Sequence, residues 1–288
     1  MTPFANAFRP LGSNRIDPLL VALWGALVVV ALFWLAPFVF IAFTSLKTIA
    51  DVAQTSPFAL PAAPAWGNFS GAWARGNFST TVFNSVLITV VKVPLGLFIS
   101  AMAAYSLARI EYAGQRLIYL LILFGTMIPF QVMLAPIFGV VNDFHLINTY
   151  VGVILPYLAF GVPYQVFILY GFFKEVPREL SEAAQIDGAS HFGILWRIFL
   201  PVSLPVLAAL LILDFVATWN EFAMALVILQ DNRMWTLPLG LMSFQSQFAR
   251  NYGQLNAAIV MTVVPAIVVY MIFQRYFVAG LISGAVKE

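Results

Sequence analysis

Three ionisable side chains, Lys92, Asp214 and Glu221, stand inside long apolar runs of this 288-residue chain. At the centre of a membrane helix such a group costs about 2.5 to 3.5 kcal/mol on insertion scales, so each needs a partner or water. Lys92 lies about eleven residues into its run and Asp214 about eleven into its own, the two runs entering the membrane from opposite faces. At about 1.5 Å rise per residue both reach roughly 16 Å, near the midplane. Equal depth and opposite sign predict an interhelical ion pair or a wet cavity lined by both, and a structural clamp at a subunit interface fits the same residues. Glu221, beside Trp219 and Asn220, sits nearer the end of its run, where it lines a vestibule or anchors the helix at the interface. Other chemistry is scarce. His145 and Asp143 share a short connection with no third ligand, which argues against a metal site, and His191 reads as a polar loop residue. There is no Cys, no Gly-rich phosphate loop and no Gly-Lys-Ser or Gly-Lys-Thr, so the chain has no machinery to hydrolyse ATP. No catalytic residue is assigned, and an intramembrane enzyme, a rival reading, would call for clustered His, Asp, Ser or Cys at the ends of the runs, which the sequence does not show. An ion-coupled secondary transporter using Lys92, Asp214 and Glu221 as relays is the alternative to the reading developed below.

The elements that must position these groups follow from composition. Apolar residues make up 62% of the chain and charged residues 9%, against about 45 to 50% and about 25% in a soluble domain. Such a chain cannot cover itself with polar surface, so a lipid bilayer is its solvent and a soluble enzyme is excluded. A formal charge of +2 without basic clusters gives no nucleic-acid site. Long apolar runs over about 19–43, 81–106, 117–138, 150–173, 202–229 and 255–273 predict an all-α polytopic membrane protein with six transmembrane helices. The first run reads as a retained anchor rather than a cleaved signal. Pro37, Pro94, Pro129, Pro136, Pro156, Pro163, Pro205 and Pro265 predict bent or broken helices around a cavity.

Basic residues orient the bundle. With the N-terminus inside, nine of them (Arg9, Arg15, Arg109, Arg116, Lys174, Arg178, Arg197, Arg275, Lys287) fall in inner segments and four (Lys47, Arg75, Arg233, Arg250) in outer ones. This excess predicts both termini in the cytoplasm. A cytoplasmic N-terminus of 1–17, a membrane domain of 18–277 and a cytoplasmic tail of 278–288 follow. Residues 44–78, rich in Pro and Gly, read as a folded or amphipathic external loop carrying weak glycosylation sequons at Asn68 and Asn77.

The inner loop 174–200 is polar, patterned and long for a turn, and predicts two short helices. Pro177 suits a first helical position, Glu179 and Glu182 the positive end of the helix dipole, Gly188 a left-handed stop and Ser190 the cap of the second helix. Leu180, Ala183 and Ala184 share a face on which small side chains admit another protein's surface. A solvated linker helix is the plainer reading of the same pattern.

Glu182-Ala183-Ala184, three residues, Gly188, nine residues, then Ile198-Phe199-Leu200-Pro201 resembles in full the EAA signature of ABC importer permeases. The likeness covers most of the chain and is greatest to the smaller permease of maltose-type carbohydrate importers. It extends to Asn84-Ser85, Trp219-Asn220-Glu221-Phe222, 235–241 and the tail from Gln274 to Leu281 and on to Lys287, while the first eighty residues match less distinctively. The resemblance implies a type I importer permease (MetI-like) fold in a bacterial cytoplasmic membrane. It assigns Glu182, Ala183, Ala184, Asp187, Gly188, Ile198, Leu200 and Pro201 to contact with an ATPase subunit. It implies as partners an ATPase dimer holding ATP and Mg, a second permease subunit and an external solute-binding protein, with no cofactor on this chain. The loop 232–253 would reach the binding protein and the tail 280–288 the ATPase pair. Asn84, Lys92, Asp214, Asn220 and Glu221 are the expected solute path, for an oligosaccharide, glycoside, polyol or glycerol phosphate.

Overall fold

The computed structural model describes residues 18–244 and 251–285, with side chains through Gln274. The expectations for the N-terminal segment, Arg9, Arg15, Arg250, Lys287 and the side chains of the tail therefore lie outside the described residues. Among the described residues the regular structure is helical throughout. α1 (Pro18–Ser45) is followed by two short helices, α2 (Ile49–Gln54) and α3 (Gly67–Arg75), and then by α4 (Phe78–Arg109). After these come α5 (Gln115–Met127), a 3-10 turn at Phe130–Met133, α6 (Leu134–Asp143) and α7 (Tyr150–Glu175). α8 (Arg178–Ile186), α9 (His191–Ile194), a π turn (Leu195–Phe199) and α10 (Leu200–Val202) form the predicted loop. α11 (Leu204–Trp219), α12 (Ala223–Ile228), α13 (Leu237–Gly240) and α14 (Tyr252–Ala285) complete the chain.

Four helices, α1, α4, α7 and α14, are long and apolar enough to cross a membrane unaided, and the number reaches six if each of two bent pairs is one span. Both bends agree with the broken helices that the prolines predict. α5 and the Phe130–Asp143 stretch meet at 92°, so the run 117–138 is a corner rather than a rod. Pro129 causes it: Ile128, the residue before the proline, is extended at ψ 119°, as the proline ring requires of its predecessor. The stretch 191–202 meets α11 at 80°, hinged at Ser203. The expected run 202–229 is interrupted again after Trp219, where residues 220–222 separate α11 from α12.

α4 and α7 pack most extensively, with α11 and α5 against them and α14 against α11. Small residues make the close approach possible: Gly96, Ser100, Ala101 and Ala104 of α4 are buried, and Ser100 Oγ donates to Gln165 Oε1 of α7 at 2.9 Å. One apolar cluster, around Phe173, Ile194, Leu195 and Phe199, closes the end of the bundle that carries α8. A second, around Ile88, Tyr157, Met224 and Ile228, closes the opposite end. The apolar stretch of α1 is exposed and leans on α14.

The segment after α1 is folded, and its polar groups are in use. Lys47 is buried and donates to Thr55 Oγ1 and the Ser56 carbonyl. Asn68 donates to the carbonyls of Ser45 and Lys47, both at 2.9 Å, so its buried amide has no room for a glycan and that sequon is discounted.

Candidate coupling loop and translocation cavity

Arg109, the last residue of α4, fixes the root of the loop. Its guanidinium donates to the carbonyls of Phe173 and Val176 at the end of α7 and lies 5.1 Å over the Phe199 ring. Pro177 is extended and stands just before α8 rather than at its first position. Glu179 lies in the first turn, where a carboxylate complements the helix dipole. Gly188 closes α8 at φ +81°, and a Cβ added there would meet nothing within 4 Å. Within this chain the glycine is required by its backbone conformation rather than by packing. Ser190 Oγ accepts the Gly193 N–H at 3.2 Å and caps α9. Phe199 is wedged between Tyr105 and Phe173 at 5.0 and 5.2 Å. His191 is more than a polar loop residue, since its Nδ1 lies 3.3 Å from the Tyr105 hydroxyl of α4.

These anchors divide the residues expected to contact an ATPase. Glu182, Ala183, Asp187, Gly188 and Pro201 are exposed. Ala184, Ile198 and Leu200 are half-buried against the apolar cluster and hold the loop to the bundle. Ile186, not singled out by the sequence, is 87% exposed at the tip of α8.

Between α4, α5, α7 and α11 lies a cavity of about 390 Å³, whose lining includes Lys92, Tyr157, Gly161, Tyr164, Asp214 and Glu221. Lys92 Nζ donates to Asp214 Oδ1, with side-chain exposures of 4% and 1%. The expected pair forms, and it also borders the cavity. Gly161 makes room for it, because a Cβ at that position would stand 2.8 Å from Lys92 Nζ. Tyr164 Oη donates to Asp214 Oδ1 at 3.4 Å, whereas Asp214 Oδ2 has no hydrogen-bond partner. Glu221 accepts from Tyr157 Oη and from the backbone N–H groups of Met224 and Ala225 at 2.9 and 3.0 Å. It therefore caps α12 across the break after α11, while its side chain borders the cavity. Tyr157, Gly161 and Tyr164 were not anticipated, although spacings of four and three put them on one face of α7.

Asn84 and Asn220 do not border this cavity. Asn84 is buried; its amide donates to the carbonyls of Arg233 and Trp235 at 3.0 and 2.9 Å and accepts from the Tyr150 hydroxyl at 2.8 Å. With both ends engaged it pins the 231–237 segment. Asn220 donates to the Val216 carbonyl of its own helix. Ser85 accepts the Leu237 N–H at 2.7 Å, and Arg75 donates to the Ser243 carbonyl at 3.1 Å. The segment after α12 is thus a fixed platform, on which the Arg233 guanidinium holds the Asp231 carboxyl below its usual range.

The family described as "Binding-protein-dependent transport system inner membrane component" matches residues 93–283, from the middle of α4 almost to the end of α14. The chain is 37% identical over 274 residues to the diacetylchitobiose uptake system permease protein NgcG of Streptomyces coelicolor, covering 94% of this chain and 88% of that protein. It is 42% identical over 212 residues to the arabinooligosaccharides transport system permease protein AraQ of Halalkalibacterium halodurans, covering 74% and 75% of the two chains. Among solved structures it superimposes on a chain of a bacterial ABC transporter that imports the acidic polysaccharide alginate, with a TM-score of 0.82 at 25% identity, over 93% of this chain and all of that one. With the family model matching 93–283 and relatives more than 30% identical over most of both chains, this chain belongs to the binding-protein-dependent transport system inner membrane components.

Proposed function

We propose that this chain is the membrane-spanning subunit of an ATP-driven, binding-protein-dependent carbohydrate importer, and that α8 is the lever through which a separate ATPase moves it. The surface of α8 carries the proposal. It exposes Ala183 and Ile186 on a loop that Arg109, Phe199 and His191 tie rigidly to α4 and α7. A push on α8 is therefore delivered to the two helices that wall the cavity. The chain holds no nucleotide-binding motif, so ATP and Mg belong to a partner ATPase dimer and this subunit is not itself an enzyme.

The bare apolar flank of α1 and a cavity walled on one side by four helices fit half a pore, completed by a second permease subunit. The platform at 231–244 faces away from the α8 end and suits an external solute-binding protein. On this reading both termini and α8 lie in the cytoplasm of a bacterium. The ligand of that binding protein and the nucleotide of the ATPase drive alternating access by preferring opposite states of the bundle. The relatives' names point to carbohydrates, both neutral ones such as diacetylchitobiose and the acidic alginate. The ion-coupled alternative leaves α8 without a role. Copurification tests the reading: the chain carries an ATPase subunit through a detergent column, and Ile186→Asp releases it. Retention of the ATPase by that variant, with uptake intact, overturns the reading.

A further inference from the structure

The charges around the cavity do not cancel. Lys92 spends its ammonium on Asp214, leaving Glu221 as the remaining charge among the ionised lining residues. Glu221 accepts from the Tyr157 hydroxyl and from two backbone N–H groups at the start of α12, a set of partners that suits a carboxylate. Asp214 adds an unpartnered Oδ2 against Gly96, where a Cβ would stand 3.8 Å from it. The remaining wall is aromatic and small: Tyr157, Tyr164, Phe130 and Phe160, the last two edge to face at 5.2 Å.

We infer that this cavity takes uncharged sugars and rejects anionic ones such as uronates and sugar phosphates. Hydroxyl groups can donate to the Glu221 carboxylate, while the apolar faces of a sugar ring lie against the aromatic wall. An anion would meet Glu221 with no free cation among the described lining residues of this chain, since Lys92 is committed to Asp214 beside Gly161. Relatives and structural neighbours handle both kinds of carbohydrate, so the likeness leaves this point open and the residues decide it. The inference rests on the importer reading for the direction of transport, but the charge of the cavity is measurable apart from it.

This chain has no Cys, so Thr126→Cys in the cavity wall gives it a single reporter, read in the assembled importer against the labelling of the parent assembly. Its labelling rate is compared for methanethiosulfonates of the same size carrying a positive or a negative charge, corrected for their rates with a free thiol. The positive reagent is expected to react about tenfold faster or more, and Glu221→Gln to narrow the ratio. Millimolar cellobiose, trehalose or diacetylchitobiose is expected to slow labelling, and digalacturonate not to. Equal or reversed charge preference overturns the inference, as does protection by digalacturonate or by none of the neutral disaccharides. The reagent comparison stands even if Glu221→Gln fails to assemble. A charge preference with no ATPase attached would sink the importer reading and leave the cavity's selectivity standing.

Discussion

Removing one member of the Lys92–Asp214 pair is the most informative perturbation of the membrane interior. At side-chain exposures of 4% and 1% neither charge reaches solvent in the isolated subunit. In Lys92→Met, Asp214 retains only the Tyr164 hydroxyl at 3.4 Å. In Asp214→Leu, the ammonium lies against Gly161 with no counter-charge. Stranding one member of a buried ion pair costs about 3 to 5 kcal/mol, whereas replacing both by apolar residues is close to neutral. For chains somewhat shorter than this one, about 3 kcal/mol moves a thermal midpoint on the order of 6 to 12 °C. The assay is thermal unfolding of the detergent-purified assembly at one scan rate, for both single variants and for Lys92→Met/Asp214→Leu. Each single variant is expected to fall by that amount and the double to return to within a few degrees of the parent. Losses that simply add in the double variant would show that the two groups do not depend on each other. Singles that melt like the parent would show that water in the cavity already screens both charges.

Three further outcomes follow from particular contacts. Asn84→Ala leaves the Arg233 and Trp235 carbonyls and the Tyr150 hydroxyl without their partner; at about 1 to 3 kcal/mol for an orphaned buried group, the midpoint should fall and protease cleavage within 231–237 should quicken. Gly188→Val strains a backbone held at φ +81° by about 1 to 2 kcal/mol, so ATP-driven uptake should drop, and Gly188→Asn, whose side chain tolerates that conformation, should recover most of it. The swap Lys92→Asp/Asp214→Lys is expected to regain uptake lost in either single neutral variant, and failure to do so would argue that the pair acts through its local geometry rather than its charge.

The parts of this fold readable in advance were those governed by burial. Apolar runs mark where α1, α4, α7 and α14 cross, and the depths of Lys92 and Asp214 were enough to bring two distant residues together. Hydropathy is blind to direction, however, so the 92° corner after α5 and the 80° hinge at Ser203 do not register in it. Pro129 signalled a break there without its angle. The interruption after Trp219 depends on the Glu221 carboxylate accepting the N–H groups of Met224 and Ala225. That local competition for backbone donors looks, in sequence, like one more charge in an apolar run. Asn84 reads in sequence only as a polar residue in a span, whereas its amide serves a segment about 150 residues away. In the loop, Gly188 and Ser190 were legible because their roles are set by the local backbone. The exposure of Ile186 depends on how Phe199 and Arg109 seat the whole loop, which no local pattern encodes.

Crosslinking from the tip of α8 tests the central claim most directly. With no native cysteine to interfere, Ile186→Cys in the assembled importer is paired with single cysteines placed across the surface of the ATPase subunit. A disulfide between them is expected, sensitive to ATP and formed only on the cytoplasmic side. Labelling of that cysteine by a membrane-impermeant reagent added outside intact cells, or the absence of any crosslink in an importer that still transports, would contradict the account.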